Sequence, residues 1–221
     1  MPAAAQPFLD RSVEPAVRGY QHWPASPTGD GLVLVHGAGS DAQAPLLCAV
    51  AEAFASAGVI VLRCDLPYRQ ARPFGPPGPG DAARDRRGIQ NMVEVFGKQI
   101  KGRMFVGGHS YGGRQSSMLC AENPELAAGL LLLSYPLHPP RKPEQARTQH
   151  LPQLRTPALF VSGTRDPFGS IEEIEAAVRL IPARTEFLQV EGAGHDLGCK
   201  AKSGGAELAR IVVEAFRGFF G

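Results

Sequence analysis

The sequence predicts a single α/β domain whose central sheet is mostly parallel and is covered by helices on both faces. The chain has 221 residues, 43% of them apolar, which is enough to bury one core. Short apolar runs alternate with longer segments that have helical spacing, as in strands joined by right-handed crossovers. We therefore expect one domain over residues 1–221, with its core from about residue 30 and with residues 1–29 extended or forming a short strand.

Six short apolar runs predict the strands of this sheet. Their length and their flanking Gly or Pro residues fit strands that are apolar on both faces, as expected where helices cover both sides of a parallel sheet. The runs occupy residues 32–37, 59–64, 104–108, 130–135, 158–163 and 186–192.

Three segments have the apolar spacing and the end signals of helices. Residues 42–58 end at Gly58, a residue type that commonly closes a helix. Ser170 is followed three residues later by Glu173, which is the capping-box pattern. The tail, residues 204–220, is amphipathic, and we expect it to form the last helix.

Two stretches interrupt the alternation of strands and helices. Residues 68–88 are rich in Pro, Gly and Arg, which disfavours an ordinary helix or strand in the first half and predicts a long loop. Residues 136–157 connect two strands and leave room for a short helix at most. We therefore expect no substantial cap domain, so that a site at the strand ends would be open.

Composition argues against several classes of function. The formal charge is +2, with basic residues dispersed among acidic ones, so nucleic acid is not an expected partner. The sequence has neither a signal-peptide pattern nor the roughly 18 apolar residues of a membrane helix, and we expect a cytoplasmic protein. The cysteines lack metal-ligand spacing, so we expect no metal site and buried thiols in a reducing compartment. They are Cys48, Cys64, Cys120 and Cys199.

A serine between paired glycines is the strongest functional signal in the sequence. GHSYG, from Gly108 to Gly112, follows an apolar run directly, which is the pattern of a nucleophile on a sharp strand-to-helix turn. Such a turn strains the serine backbone, and glycine at both ends leaves it room. Gly107 and Gly113 would further ease the packing of the following helix on the sheet. We predict Ser110 as a nucleophile at a helix N-terminus, where the dipole favours negative charge.

A serine hydroxyl needs a base, and His195 is the histidine best placed for this role. It follows a strand through a Gly-containing loop, so it should reach the same edge of a parallel sheet as Ser110. His109 neighbours the serine, but alternation along the turn would send its side chain elsewhere. We therefore predict His195 as the base.

Asp166 is the predicted acid. It lies just past the strand 158–163 and precedes His195, so its carboxylate could accept the imidazole N–H. Asp65 is the main competitor, and Asp196 is too near His195 in the chain to fold back on its ring. An aspartate that merely caps a surface turn is the alternative interpretation of Asp166.

Two backbone N–H groups are expected to form an oxyanion hole. Tyr111 follows the nucleophile, and Ala38 lies in the turn after the first long run, where the second donor is expected.

Four side chains are candidates for the substrate pocket from their sequence positions alone. They are His36, Tyr68, Arg69 and Phe168. Arg69, together with Arg72, could attract a carboxylate or phosphate, or could simply be solvated. His36 could instead be a structural histidine that holds the loop after its strand.

A dinucleotide site is a rival interpretation of one segment. Gly37, Gly39 and Ala42 form G-x-G-x-x-A after a strand, and Asp65 ends the next strand, where an acid would bind a ribose hydroxyl. This rival leaves the three predicted catalytic residues unexplained.

From LVLVHG through the C-terminal helix, the chain resembles the α/β-hydrolase family. Six motifs, in this order along the chain, carry the resemblance. They are HGAG, CDLPYR, GGHSYGGR, SYPLHPP, LFVSGTRD and GAGHDL. Within that family the chain is similar to the small, lidless, dienelactone-hydrolase-like branch. More closely, it resembles the group that includes testis-expressed protein thirty and a regulatory subunit of the nonspecific-lethal histone acetyltransferase complex. The resemblance implies an α/β-hydrolase fold and a Ser, Asp, His triad at Ser110, Asp166 and His195.

These observations predict a serine hydrolase that acts on a small-molecule ester or related acyl compound without a metal or organic cofactor. The pattern does not indicate an oligomeric state. Because one member of the resembled group is a subunit of a chromatin complex, a non-catalytic binding or scaffold protein on the same fold is the alternative.

Overall fold

Eight strands of the described residues form one sheet. The computed structural model describes residues 5–199 and 204–221. The strands are β1 (Gln6–Asp10), β2 (Val17–His22), β3 (Gly31–Val35), β4 (Ile60–Cys64), β5 (Met104–His109), β6 (Gly129–Leu133), β7 (Ala158–Gly163) and β8 (Thr185–Val190). Their order in the sheet is β1-β2-β4-β3-β5-β6-β7-β8. Strand β2 runs antiparallel to both of its neighbours, β1 and β4, and every other neighbouring pair is parallel.

Six α-helices of the described chain cover both faces of this sheet. They are α1 (Pro45–Ser56), α2 (Pro67–Ala71), α3 (Asp81–Gly97), α4 (Tyr111–Glu122), α5 (Ile171–Val178) and α6 (Gly204–Phe220). Helices α1 and α6 contribute to one core, and α3, α4 and α5 to the other. Along β3, Leu32 and Leu34 face the first core while Val33 and Val35 face the second, as expected of a strand buried on both faces. The predicted fold class is confirmed.

The predicted elements agree closely with the structure. The six predicted strands differ from β3 to β8 by no more than two residues at either end. At α5, Glu173 N–H donates to Ser170 Oγ at 3.3 Å, and Ser170 N–H donates to Glu173 Oε2 at 2.8 Å, which confirms the capping box. Gly58 has a φ of 94° just after α1, a conformation that glycine adopts without steric cost.

The long loop predicted over residues 68–88 is mostly wrong. Helix α2 begins at Pro67, where a missing N–H costs nothing, and α3 begins at Asp81, so that only residues 72–80 form a loop. The prediction failed because Pro and Gly are concentrated in that short part, whereas the Ala and Arg residues beyond it favour a helix.

Two other expectations need correction. Of the cysteines predicted to be buried, Cys64 and Cys120 are, but Cys48 and Cys199 are only half-buried; all four thiols are free. The N-terminal segment, described from residue 5, forms two strands instead of one, and β2 pairs with the edge of β4.

The parallel strands place a site at one edge of the sheet. The carboxyl ends of β5, β7 and β8 lie at that edge, because parallel strands all point the same way. The connection from β6 to β7 contains only two short 3₁₀ turns, at Pro143–Gln145 and Leu151–Gln153, as the prediction of no cap requires.

A buried histidine next to an arginine makes the fold sensitive to acid. His22 is 1% exposed, and its Nε2 accepts a hydrogen bond from Arg63 Nε at 2.8 Å. Burial, and then the charge of Arg63, lower the pKa of His22 from 6.5 to about 4. Between these two pH values the unfolded chain binds the proton more tightly, so folding stability falls as pH decreases from 6.5 towards 4.

We predict that His22→Gln reduces this pH dependence, because glutamine can accept the bond from Arg63 but does not titrate. Urea unfolding of both proteins at several pH values between 4 and 6.5 measures the effect. The expected result is a shallower fall in the free energy of unfolding for the variant; parallel curves would contradict the assignment.

Candidate active site

Ser110 occupies a strained turn between β5 and α4. Its φ is 51° and its ψ is −117°, a region that residues with a side chain rarely adopt. The turn is anchored on the neighbouring strand, since Ser110 N–H donates to Leu133 O at 2.8 Å. The serine side chain is therefore held at the end of the sheet, at the start of α4.

Close approach of backbones explains the glycines around this serine. A Cβ on Gly108 would lie 2.3 Å from Val35 O, and one on Gly112 would lie 2.5 Å from His36 O. The collision is thus with the end of β3. A Cβ on Gly107 would lie 2.0 Å from Leu131 O, so this glycine serves the approach of β6, whereas we expected it to serve helix packing.

The three predicted catalytic side chains form one hydrogen-bonded chain. His195 Nε2 lies 2.8 Å from Ser110 Oγ, and His195 Nδ1 lies 2.8 Å and 3.0 Å from the two carboxylate oxygens of Asp166. Because a carboxylate only accepts, Nδ1 carries the proton and Nε2 is free to accept the serine proton. Ser110 and Asp166 are 9% and 8% exposed, so the two ends of the chain are shielded from water, whereas the His195 side chain is 23% exposed.

Asp166 and Phe168 are positioned by the turn after β7. Asp166 Oδ1 accepts a hydrogen bond from Phe168 N–H at 2.9 Å, which fixes the carboxylate. The Phe168 ring packs on the imidazole of His195, with centroids 4.2 Å apart. Phe168 therefore restrains the orientation of His195; it is not among the residues that line the adjoining cleft, so its predicted pocket role stays a prediction.

The competing aspartate, Asp65, is engaged elsewhere. Its Oδ1 accepts from Ala42 N–H at 2.8 Å, and its Oδ2 pairs with Arg18 at 2.9 Å. The same contacts occupy the acid that the dinucleotide interpretation needs for a ribose hydroxyl. The Gly37 turn of that motif instead packs against the nucleophile, since a Cβ on Gly37 would lie 3.4 Å from Ser110 Cβ.

The prediction that the His109 side chain points away from the site is wrong. His109 Nε2 donates to the backbone oxygen of His195 at 2.8 Å, and the two rings are 5.0 Å apart. Burial lowers the pKa of His109 to about 4, so it stays neutral near pH 7. His109 is the last residue of β5, and alternation along that strand could not show that the loop carrying His195 packs against the His109 ring.

The two expected oxyanion donors lie on segments that face Ser110. Tyr111 is the first residue of α4, so its N–H has no acceptor within the helix. Ala38 follows Gly37, which contacts the serine, and the Ala38 carbonyl is held by the Tyr68 hydroxyl at 2.8 Å. That hydroxyl bond turns the carbonyl towards Tyr68.

From their sequence positions we predicted that His36 and Tyr68 line the substrate pocket. The structure instead places both behind the loop that carries Ala38. Both are buried, at 0% and 2% exposure. His36 Nε2 accepts from Leu66 N–H at 3.0 Å, and its Nδ1 lies 2.8 Å from Gly37 O. His36 is therefore a structural histidine.

Arg69 is also buried and cannot attract a substrate anion as we had suggested. Its Nε donates to Ser40 O at 2.7 Å and its Nη2 to Gly75 O at 2.9 Å. The guanidinium ties the Ala38 loop to the loop after α2. Arg72, the second candidate, forms an ion pair with Asp81.

A mainly apolar cleft opens beside His195. Its volume is about 520 Å³. One wall is formed by the segment after β3, and the other by residues near His195 and Asp166. The lining residues are Gly39, Ser40, Ala44, Pro45, Leu46, His109, Pro167, His195, Asp196 and Cys199. Sequence reasoning did not find this cleft, because its walls come from separate loops.

Neither a metal-ligand cluster nor a membrane-spanning helix occurs in the described residues. No group of three or more His, Cys, Asp or Glu side chains in residues 5–199 and 204–221 could hold a metal ion. Among the helices of the same residues, none is long and apolar enough to cross a membrane.

The fold and the site geometry are those of an α/β hydrolase. The chain belongs to the family described as alpha/beta hydrolase domain, whose model matches residues 29–218.

Solved structures share this fold over nearly their whole length. A dienelactone hydrolase from Anabaena variabilis has a TM-score of 0.73 and 20% identity, with 98% of this chain and 99% of that chain covered. An alpha-beta serine hydrolase homologue from Coxiella burnetii has a TM-score of 0.72 and 19% identity, with 95% and 96% covered. A serine hydrolase without a lid from Xanthomonas campestris has a TM-score of 0.72 and 12% identity, with 98% and 95% covered.

We predict that Asp166→Asn lowers the rate at which a fluorophosphonate labels Ser110 by about 10³- to 10⁴-fold, because asparagine no longer fixes the His195 tautomer. Intact-mass kinetics measure the rate. Asp65→Asn is the matched control and should label like the unmodified protein. Similar losses in both variants would mean that Asp166 is not the specific partner of His195.

Proposed function

We propose that the protein is a serine hydrolase that cleaves esters or related acyl compounds through an acyl-enzyme. The observation that carries this proposal is the continuous chain from Ser110 Oγ through His195 to Asp166, with both links at 2.8 Å. Such a chain activates a serine that would otherwise be a poor nucleophile. The strained turn supports the same conclusion, since strain of this kind is concentrated at functional sites.

In the first half of the reaction, His195 Nε2 takes the Ser110 proton as Oγ attacks the substrate carbonyl. The backbone N–H groups of Tyr111 and Ala38 would donate to the developing oxyanion. Asp166 stabilises the imidazolium by accepting from Nδ1–H. The imidazolium then protonates the leaving alcohol, which departs and leaves an ester on Ser110.

In the second half, a water molecule replaces the alcohol. His195 takes a proton from this water, which attacks the acyl carbon and forms a second oxyanion at the same donors. Collapse of that intermediate returns the proton from His195 to Ser110 Oγ and releases the carboxylic acid.

The cleft beside His195 supports a compact, uncharged substrate group. Apart from Asp196 and the two histidines, its lining residues carry no ionic side chain, and most of them are apolar. Arg69 does not line it. The absence of a cap between β6 and β7 leaves the site open, which suits small or exposed esters better than long lipids.

A non-catalytic scaffold remains the second candidate function, favoured only by the sequence resemblance to a group with a chromatin-complex subunit. Our main proposal, the serine hydrolase, also places the chain in that group, locates it in the cytoplasm and gives it a small acyl molecule as its substrate. The assembled hydrogen-bond chain favours catalysis, because a scaffold has no need of it.

We predict that Ser110→Ala lowers turnover of 4-nitrophenyl acetate and butyrate by about 10⁴-fold or more, since no nucleophile remains. The measurement combines ester turnover with detection of a stoichiometric fluorophosphonate adduct by intact mass. The unmodified protein should react and the variant should not. Failure of the folded, unmodified protein to label or turn over any ester would favour the scaffold.

The cleft generates a second prediction. Ala44→Trp places a large ring in a half-buried position of the cleft wall, so it should lower kcat/KM for 4-nitrophenyl hexanoate or hexyl acetate about tenfold more than for 4-nitrophenyl acetate. Ala25→Trp, in another cleft at the opposite edge of the sheet, is the control. Equal effects of Ala44→Trp on short and long substrates would exclude this cleft as the binding site.

A further inference from the structure

A carboxylate without a counter-ion is buried beneath the proposed active site. Asp85, on α3, is 0% exposed. None of the ion pairs found in the described part of the chain includes it. Burial raises the pKa of Asp85, which shows that the ionised form is costly at this place. Burying this carboxylate costs free energy that an apolar residue would not cost, so its hydrogen bonds are the feature to explain.

The two oxygens of Asp85 hold two different segments of the site. Oδ2 accepts a hydrogen bond from the Tyr111 hydroxyl at 2.7 Å, and Oδ1 accepts from the backbone N–H of Tyr68 at 3.0 Å. Tyr111 directly follows the nucleophile and is one of the two expected oxyanion donors. Asp85 therefore anchors that residue through its side chain, opposite to the backbone N–H that the reaction would use.

Tyr68 passes the constraint on to the second donor. Its hydroxyl donates to Ala38 O at 2.8 Å and lies 3.2 Å from Gly37 O. The donated bond fixes the peptide plane that follows Ala38, and the hydroxyl also contacts the plane that precedes it. The orientation of the Ala38 loop thus depends on where Tyr68 sits, and Asp85 fixes the backbone of Tyr68.

A histidine reinforces the same loop from the start of α2. Leu66 N–H donates to His36 Nε2 at 3.0 Å. Because a backbone N–H only donates, His36 carries its proton on Nδ1, from which it donates to Gly37 O at 2.8 Å. The beginning of α2 therefore holds the loop at two points, through His36 and through Tyr68.

Tight packing of α2 on α3 makes this arrangement rigid. A Cβ on Gly88, three residues after Asp85 on α3, would lie 2.4 Å from Pro67 Cγ, so the helices can approach this closely only with glycine there. The rings of Tyr68 and Tyr111 pack edge to face, with centroids 6.0 Å apart. The Asp85 carboxylate and the two tyrosines that bond to it are therefore closely packed.

We propose that Asp85 is a positioning residue that fixes the two backbone donors of the oxyanion hole relative to each other. It acts through Tyr111 on one side and through Tyr68 on the other, and it does not touch the substrate. This inference rests on the proposed hydrolase function. Its physical basis is that preorganised donors stabilise an oxyanion only when they are already aimed at it.

The test is Asp85→Asn, which keeps the size of the side chain and removes the charge and one acceptor. We expect kcat for 4-nitrophenyl butyrate, normalised to the fluorophosphonate-titrated sites, to fall about 10- to 100-fold with little change in KM. Asp81→Asn is the matched control, since Asp81 starts the same helix and bonds to Arg72 and Gly78 instead of to either tyrosine. It should retain the activity of the unmodified protein.

An inhibitor comparison separates positioning from a merely structural effect. A trifluoromethyl ketone forms a tetrahedral oxyanion on the serine, so Asp85→Asn should weaken its binding by about the same factor as kcat. Affinity for butyrate, the product acid, should not change. The pH at which kcat/KM is half-maximal should also stay constant, because the environment of His195 is untouched.

Tyr111→Phe keeps the inference testable if Asp85→Asn does not fold. It removes only the hydroxyl bonded to Asp85, and it should reduce kcat and ketone affinity together. In a protein that already carries Tyr111→Phe, adding Asp85→Asn should reduce kcat by a smaller factor than it does in the unmodified protein. An active protein in which both substitutions leave kcat and ketone affinity unchanged would overturn the inference alone. An unmodified protein that neither labels nor hydrolyses esters would overturn the proposed function, and the inference with it.

Discussion

Ser110 has a strained backbone with a positive φ that is maintained by tight packing around it, and the rest of the site depends on this turn. Conformations of this kind cost on the order of 1–3 kcal/mol. Here the cost is offset by the surrounding strands, because glycines at 108 and 112 let the turn approach the backbone of β3 to distances at which a Cβ would collide. The hydrogen bond from Ser110 to Leu133 fixes it to β6 as well.

The other two groups of the hydrogen-bonded chain are brought to this turn by the topology of the sheet. Ser110, Asp166 and His195 follow β5, β7 and β8, whose parallel direction puts their ends at one edge. Local contacts then set the orientation of the base. Phe168 packs against the His195 ring, and His109 donates to the His195 backbone. The short distances of the triad thus follow from long-range pairing together with a few buried side chains.

A second layer of polar contacts lies behind the loop that carries Ala38. His36, Tyr68 and Arg69 each bond to carbonyl groups of that loop, and all three are buried. They stand at the ends of strands or in the helix that follows, which is also where substrate-binding residues are found. Sequence position alone could not distinguish these two roles, because it does not give the direction in which a side chain points.

The sequence by itself determined the six strands from β3 to β8, the glycine-lined turn at Ser110 and the three side chains that form the hydrogen-bonded chain. These follow from local patterns: apolar runs of strand length, glycines where a turn needs them, and polar residues directly after strands. Tertiary structure alone decided which side chains face the cleft, why His109 contacts His195, and that Asp85 lies beneath Tyr68 and Tyr111. The physical reason is that burial and hydrogen-bond partners depend on segments far apart in the chain, whose approach is fixed only when the sheet and its helices pack together.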